Sequence, residues 1–389
     1  MSKNNRDIAV VFDDLVEFFS IKSGIDKLIS DGVSVDVIVP THNDGRKSLL
    51  DETYNYLKKN GYSPIRNVIK SRKYKILLEP YPTDHNFKPD IINHEFRIKY
   101  KYSLISAKPD PVFTVNWNIM YDAILCYTKR EVEILSAYTK TFLVAPMKYK
   151  DFKKDGRRPS EKPTMLYLPT FGDVSSIDDI ADIIKSVKKD FYIVTKAHHS
   201  TQHKEDEKSR NNILKNVSDE YYNQTTDLVD LMKKADVVLS DNSSAIFDAI
   251  YASVPVAIYN DNTLNDRKLG NVDTYQYQVV KKGIVPYTSD PKKVGKILKE
   301  AIKKRKEQAK EREDFSNAKD ITKEFVNVIK CFLKKDRKTD EYYAMHDYIR
   351  DSFLIKSNEE INKIKESRTW KIGNMITAPY RLAKRLFEK

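Results

Sequence analysis

Short runs of β-branched and aliphatic residues alternate along the chain with stretches whose apolar positions recur at helical spacing, the pattern of strand and helix units in parallel α/β sheets. In the first part the runs fall at 7–12 (DIAVVF), 33–39 (VSVDVIV), 74–78 (YKILL), 122–127 (DAILCY) and 141–145 (TFLVA). Between them, 48–59 predicts a helix with Leu49, Leu50, Tyr54 and Leu57 on one face. The polar stretch KYKDFKKDGRRPSEKP, with Gly156, Pro159 and Pro163, breaks the series and reads as a linker. A second series follows at 164–169 (TMLYLP), 191–197 (FYIVTKA), 236–240 (DVVLS) and 254–259 (VPVAIY), then helices near 292–312 and 320–334. The predicted organisation is a Rossmann-like domain over 1–150, a linker over 151–163, a second Rossmann-like domain over 164–335 and C-terminal helices over 336–389. Two open parallel sheets in one chain imply a cleft, with functional residues directly after the strands.

Composition narrows this picture. The 389 residues, 40% of them hydrophobic, suffice for two cores. No stretch approaches the ~18 apolar residues of a membrane span. The start, MSKNNRDIAVVFDD, sets two acids straight after a short apolar run, unlike a signal peptide, so a cytoplasmic location is expected. Cys126 and Cys331 lie too far apart in sequence to suggest a disulfide framework or a cysteine zinc site. The net charge of +13 is concentrated: 292–312 carries +7 and 366–389 carries +4, leaving residues 1–291 at +2. A basic C-terminal third suits nucleic acid or an anionic membrane surface. Nothing resembles an RNA or DNA module, and aromatic residues do not interleave with the basic run as stacking platforms require, so no nucleic-acid partner is expected.

Three strand ends carry chemistry. In DVVLSDNSSAIFDAIYASVPVAIYND (236–261) a buried strand ends at Ser240, Asp241 and Asn242 form a turn, and Ser243 and Ser244 open a helix. Two hydroxyls beside first-turn amides suit a phosphate or diphosphate; the same residue types also cap helices without binding anything. In FYIVTKAHH (191–199) alternation sends Lys196 and His198 to one face, a cation and a proton-transfer group. His198, His199 and His203 lack the spacing of a zinc site, and no metal or cofactor is expected. In LYLPTFGD (166–173) Thr170, Gly172 and Asp173 reach the cleft edge.

In order and spacing these segments resemble the CDP-glycerol glycerophosphotransferase family, the teichoic-acid polymerases and primases of GT-B fold. Tyr167, Pro169, Thr170, Phe171 and Asp173 match its first motif, Lys196 and His198 its second, and Ser240, Asp241, Ser243, Ser244, Phe247, Asp248 and Pro255 its third. The resemblance runs best over 164–261. It implies that Thr170, Lys196, His198, Asp241, Ser243, Ser244 and Asp248 bind the donor, with the serine pair on its diphosphate. Gly172, His199 and Asn242 depart from the family's arginine, proline and tyrosine, which loosens the link to CDP-glycerol.

The family's first domain has a histidine–glycine pair that looks like the base for the acceptor hydroxyl. The nearest counterpart is His94 in DIINH; the rival is His42 in VIVPTHNDG. Beyond His94, Arg97, Lys99, Lys101 and Lys108 alternate with Tyr100 and Tyr102, a stretch suited to an anionic acceptor or to a solvated face. The tail places Trp370, Ile372, Met375, Ile376, Tyr380, Ala383 and Phe387 at near-helical spacing beside Arg381, Lys384, Arg385 and Lys389. That suits an anionic inner membrane leaflet, or a helix packed on protein. The resemblance implies transfer of a polyol phosphate from a CDP-activated donor to a hydroxyl of a teichoic-acid-like or capsular polymer or its lipid-linked precursor. The alternative is a glycosyltransferase using a nucleotide-sugar donor.

Overall fold

The computed structural model describes residues 5–41, 47–66, 72–81, 92–103, 116–155, 162–172, 175–198, 207–241, 243–260, 268–269, 272–273, 275–317, 320–367 and 369–370. Met1–Lys335 forms one compact unit and Asp336–Lys389 another.

The first unit contains two six-stranded sheets, each parallel throughout. The first has β1 (Asn5–Val11), β2 (Val35–Ile38), β3 (Lys73–Glu79), β4 (His94–Lys99), β5 (Ala123–Cys126) and β6 (Lys140–Leu143), in the order β2-β1-β3-β4-β5-β6. The second has β7 (Thr164–Leu168), β8 (Tyr192–Lys196), β9 (Glu220–Tyr222), β10 (Val237–Ser240) and β11 (Val256–Tyr259). After a small hairpin of β12 (Lys268–Leu269) and β13 (Val272–Asp273) comes its last strand, β14 (Tyr287–Thr288). Its order, β14-β11-β10-β7-β8-β9, is that of a dinucleotide-binding sheet. The strand order reverses between β7 and β10, and a crevice opens beyond the carboxyl ends there.

These strands are short aliphatic runs because helices cover both faces, so neither face selects polar residues. Met165, Tyr167, Ile193 and Leu239 are packed with Ile183, Ile184 and Val187 on one side of the second core. The first lobe repeats the plan with α1 (Leu15–Ser30), whose Phe18, Ile21, Ile25 and Leu28 fall at helical spacing and are buried. Asp14 caps α1 by accepting from the Glu17 N–H (2.9 Å), and Glu17 Oε2 accepts from the Asp13 N–H (2.6 Å), so the helix starts with both groups reciprocally satisfied.

The helix Ile321–Lys334 follows the second sheet in sequence but packs on the first lobe. Phe332 meets Phe96 and Phe142 at centroid distances of 5.1 and 5.7 Å. Its Phe325 ring lies where a Cβ on Gly24 of α1 would stand (2.5 Å), so that glycine permits the close approach. The neighbouring Glu324 accepts from the Ala145 N–H (3.0 Å) and from Ser316 Oγ (2.8 Å), tying together the two places where the chain passes between lobes.

In the second unit, Asp340 caps the helix Glu341–Glu366, and Arg337 pairs with both carboxylate oxygens of Asp347 at 2.6 Å. Residues 371–389 of the basic tail lie outside the described residues. Among the described residues no helix is long and apolar enough to cross a membrane.

Candidate active site

The three strand ends singled out in the sequence converge. A cleft between the lobes, with about 780 Å³ of empty space open to solvent, is lined from the second lobe by Leu168 and Pro169 at the end of β7, Lys196 and His198 at β8, and Gln224, Thr226 and Asp227 beyond β9. Ser243, Ser244 and Asp248, beyond β10, complete that wall. Val16 and Phe19 of α1, Tyr102 and Ser103 after β4, and Lys148 face them.

Local chemistry fixes these positions. Asp241 is fully buried at the point of strand reversal; its carboxylate accepts from the Thr170 N–H (2.9 Å), the Ser176 N–H (3.0 Å) and Ser176 Oγ (2.9 Å). Ser240 Oγ adds a bond to the Leu168 carbonyl (2.7 Å). Asp241 therefore stitches the loop after β7 to the turn after β10. Burial, outweighing these donors, pushes its pKa up to about 6. Thr170 is likewise buried, and neither residue is part of the cleft wall. Thr170 and Asp241, expected to touch the donor, thus stand behind the residues that line this cleft. Gly172, in the same loop, has φ +72°, a conformation that disfavours the arginine expected by resemblance.

Ser243 Oγ accepts from the Ala245 N–H (3.3 Å), a modest cap. Ser244 directly precedes the helix Ala245–Tyr251, sits in the αR region and makes no side-chain cap. Capping alone does not account for Ser244. The helix is only two turns long, so the hydroxyls and nearby cations, rather than a long helix dipole, are the site's polar resource. Lys196 Nζ donates to the Asn223 carbonyl (2.9 Å), and desolvation lowers its pKa to about 8 against the opposing pull of Asp227, Asp14 and Glu52. His198 lies tilted on Phe171 with ring centroids 4.6 Å apart. Burial raises the pKa of Asp227, which caps the helix Leu228–Lys234 through Val229. Asp248 Oδ1 accepts from Tyr149 Oη (2.8 Å) and pairs with Lys148 (2.5 Å).

The first-lobe expectations fare differently. His94 is the first residue of β4, and its Nδ1 meets the Ile92 carbonyl (2.6 Å). Since β4 runs parallel to its neighbours, His94 lies at the amino end of the sheet, about 17 Å of strand away from the cleft. It is not among the residues that line the cleft. His42 lies outside the described residues, as do Asp173, Asn242, His199 and His203. Arg97 and Lys99 of β4, and Lys101 just beyond it, are buried and paired within the protein. Arg97 Nε donates to Glu79 (2.6 Å), Lys99 to Asn118 (3.0 Å), and Lys101 pairs with Glu131 (3.1 Å).

Among the cleft residues that sequence reasoning missed, Lys148 is the one charged residue contributed by the passage between the lobes. It sits in the 3-10 turn Met147–Tyr149, in a basic stretch that read as linker, and no motif marks it. Only its position at the passage between two predicted cleft-forming domains offered a hint.

Two facing Rossmann-like sheets, with a cation-bearing cleft at the carboxyl ends of the second, define the GT-B class. Residues 143–320 match the family model described as CDP-Glycerol:Poly(glycerophosphate) glycerophosphotransferase, which covers all three motifs, so the resemblance drawn from them is shown. The teichoic acid glycerol-phosphate primase of Bacillus subtilis (strain 168) is 30% identical over 136 residues, 33% of this chain and 34% of that protein; the match thus spans about a third of the relative's length. Among solved structures, the wall teichoic acid polymerase TagF has a TM-score of 0.56 at 13% identity over 85% of this chain and 89% of that one. A UDP-GlcNAc 2-epimerase from Neisseria meningitidis, bound to UDP-GlcNAc, reaches 0.50 at 13% identity, covering 85% and 100%. Likeness at this identity establishes the fold, which transferases and epimerases share.

Proposed function

We propose that this protein is a transferase that moves glycerol phosphate, or a related polyol phosphate, from a CDP-activated donor to a hydroxyl of a teichoic-acid-like acceptor. The observation that carries this reading is the convergence of Lys196, His198, Ser243 and Ser244 on one interlobe cleft, within the segment that matches the glycerophosphotransferase family. In the reaction an acceptor hydroxyl attacks the donor's β-phosphorus. A new P–O bond forms, the bond from the β-phosphorus to the bridging oxygen breaks, and CMP leaves with the electron pair. Lys196 and the serine hydroxyls stabilise the charge that gathers on the departing phosphate, where fixed donors act most strongly. The hydroxyl proton passes to a cleft base; Asp227 and His198 are the titratable wall residues suited to accept it.

The family match supports the donor and a polymeric acceptor; membrane association is a further part of the proposal. The basic segment 366–389, with Trp370 exposed, suits an anionic inner leaflet and would hold the enzyme at the cytoplasmic face beside a lipid-linked acceptor. Incubation with CDP-glycerol, CDP-ribitol and UDP-sugars, followed by chromatography of released nucleotide, tests the reading. CMP release is expected; release of UDP alone would move the protein to the glycosyltransferases.

A further inference from the structure

A lysine ammonium removed from water is costly unless the protein or a ligand compensates it. The Lys148 side chain is only 7% exposed, yet it lines the cleft. One of its three N–H donors is taken by Asp248 Oδ1 (2.5 Å), an oxygen that also accepts from Tyr149 Oη. Across the same cavity, Lys196 spends one donor on the Asn223 carbonyl. The two ammoniums are close enough for the field of Lys148 to contribute to the lowered pKa of Lys196. Two cations that repel one another across a cavity are stabilised by an anion placed between them, and a diphosphate has two phosphoryl groups to share.

We infer that Lys148 and Lys196 form a two-sided clamp on a nucleoside diphosphate group, with Lys148 reaching from the passage between the lobes and Lys196 from the end of β8. The inference rests on the proposed donor site and adds a residue outside its three motifs. A purely structural Lys148 would tie Asp248 to the lobe passage and contribute equally whatever occupies the cleft. A clamp discriminates by phosphate number. It weakens diphosphates more than monophosphates when one jaw is removed.

The test measures CDP and CMP affinities by titration calorimetry for the wild type, Lys148→Met and Lys148→Arg. The ratio of the two constants does not depend on the fraction of folded protein, so partial misfolding of one variant leaves the comparison valid. Lys148→Met is expected to weaken CDP about 10- to 100-fold and CMP by less than about threefold, with Lys148→Arg recovering most of the CDP affinity. An unchanged CDP-to-CMP ratio in Lys148→Met overturns the clamp while leaving the donor site standing. A wild-type protein that binds neither nucleotide removes the donor site and the clamp with it.

Discussion

Replacing Asp241 sets two costs against each other. Its carboxylate is fully buried and serves the Thr170 and Ser176 N–H groups, Ser176 Oγ and the Ser243 N–H. Burial still wins, raising the carboxyl from 3.8 to about 6. Near pH 7.5 the ionised form therefore carries a penalty of about 3 kcal/mol. Asp241→Asn abolishes that penalty but turns an amide group toward donors, and each buried donor left without an acceptor costs about 1–3 kcal/mol. The two effects nearly cancel, so this variant should lie within about 2 kcal/mol of the wild type. Asp241→Ala strands every donor with no compensating acceptor and should cost roughly 3–6 kcal/mol. Because the folded pKa is raised, the stabilisation is fully present below pH 3.8 and is lost as pH rises through about 6. Urea denaturation at pH 4.5 and 7.5 should show the wild type losing about 2 kcal/mol relative to Asp241→Asn as pH increases. A wild-type advantage that grew with pH would refute the reasoning, since the hydrogen bonds would then outweigh burial.

Other outcomes follow from the same geometry. His94→Ala should leave turnover within about threefold of the wild type, because a group at the far end of a parallel strand makes no contact with reacting atoms; a loss of three orders of magnitude would restore it as the base. Changing Ser243 and Ser244 together to Ala should weaken donor binding by roughly 1–3 kcal/mol with little change in melting temperature. Unaltered affinity in that variant would reduce both hydroxyls to local packing. Donor affinity should fall as pH rises through about 8, where Lys196 loses its charge; a dissociation constant flat to pH 9.5 would mean that Lys196 does not face the phosphates.

Much of the fold was legible because parallel strands covered on both faces are written as uninterrupted aliphatic runs, and nine of these were read close to where the strands lie. The strand β4 was missed for a physical reason. In HEFRIK the buried Phe96 and Ile98 alternate with Arg97 and Lys99, and alternating charge reads as a solvated face, whereas here the cations are paired indoors with Glu79 and Asn118. That omission also hid that His94 begins a strand. Strands β9 and β14 are too short, at EYY and YT, to raise a hydrophobic signal. At the site, Lys196, His198, Ser243 and Ser244 were readable because the chemistry follows strand ends. Asp241 was readable as a carboxylate beside the site, but the backbone donors that claim it were not. Lys148 carried no local pattern at all; only the tertiary passage between lobes gives it meaning.

The return of Ile321–Lys334 to the first lobe gives the two halves an axle. The polypeptide crosses near Ala145 and again near Ser316, and Glu324 holds both crossings with one carboxylate. Two pinned straps hold the halves together at these crossings. Were the halves to swing about these pins, Lys148, three residues from one of them, would move little, whereas the Gln224 to Glu52 contact would open. A bivalent anion seated by the axle would thus remain held while the mouth admits or releases the bulkier half of the reaction.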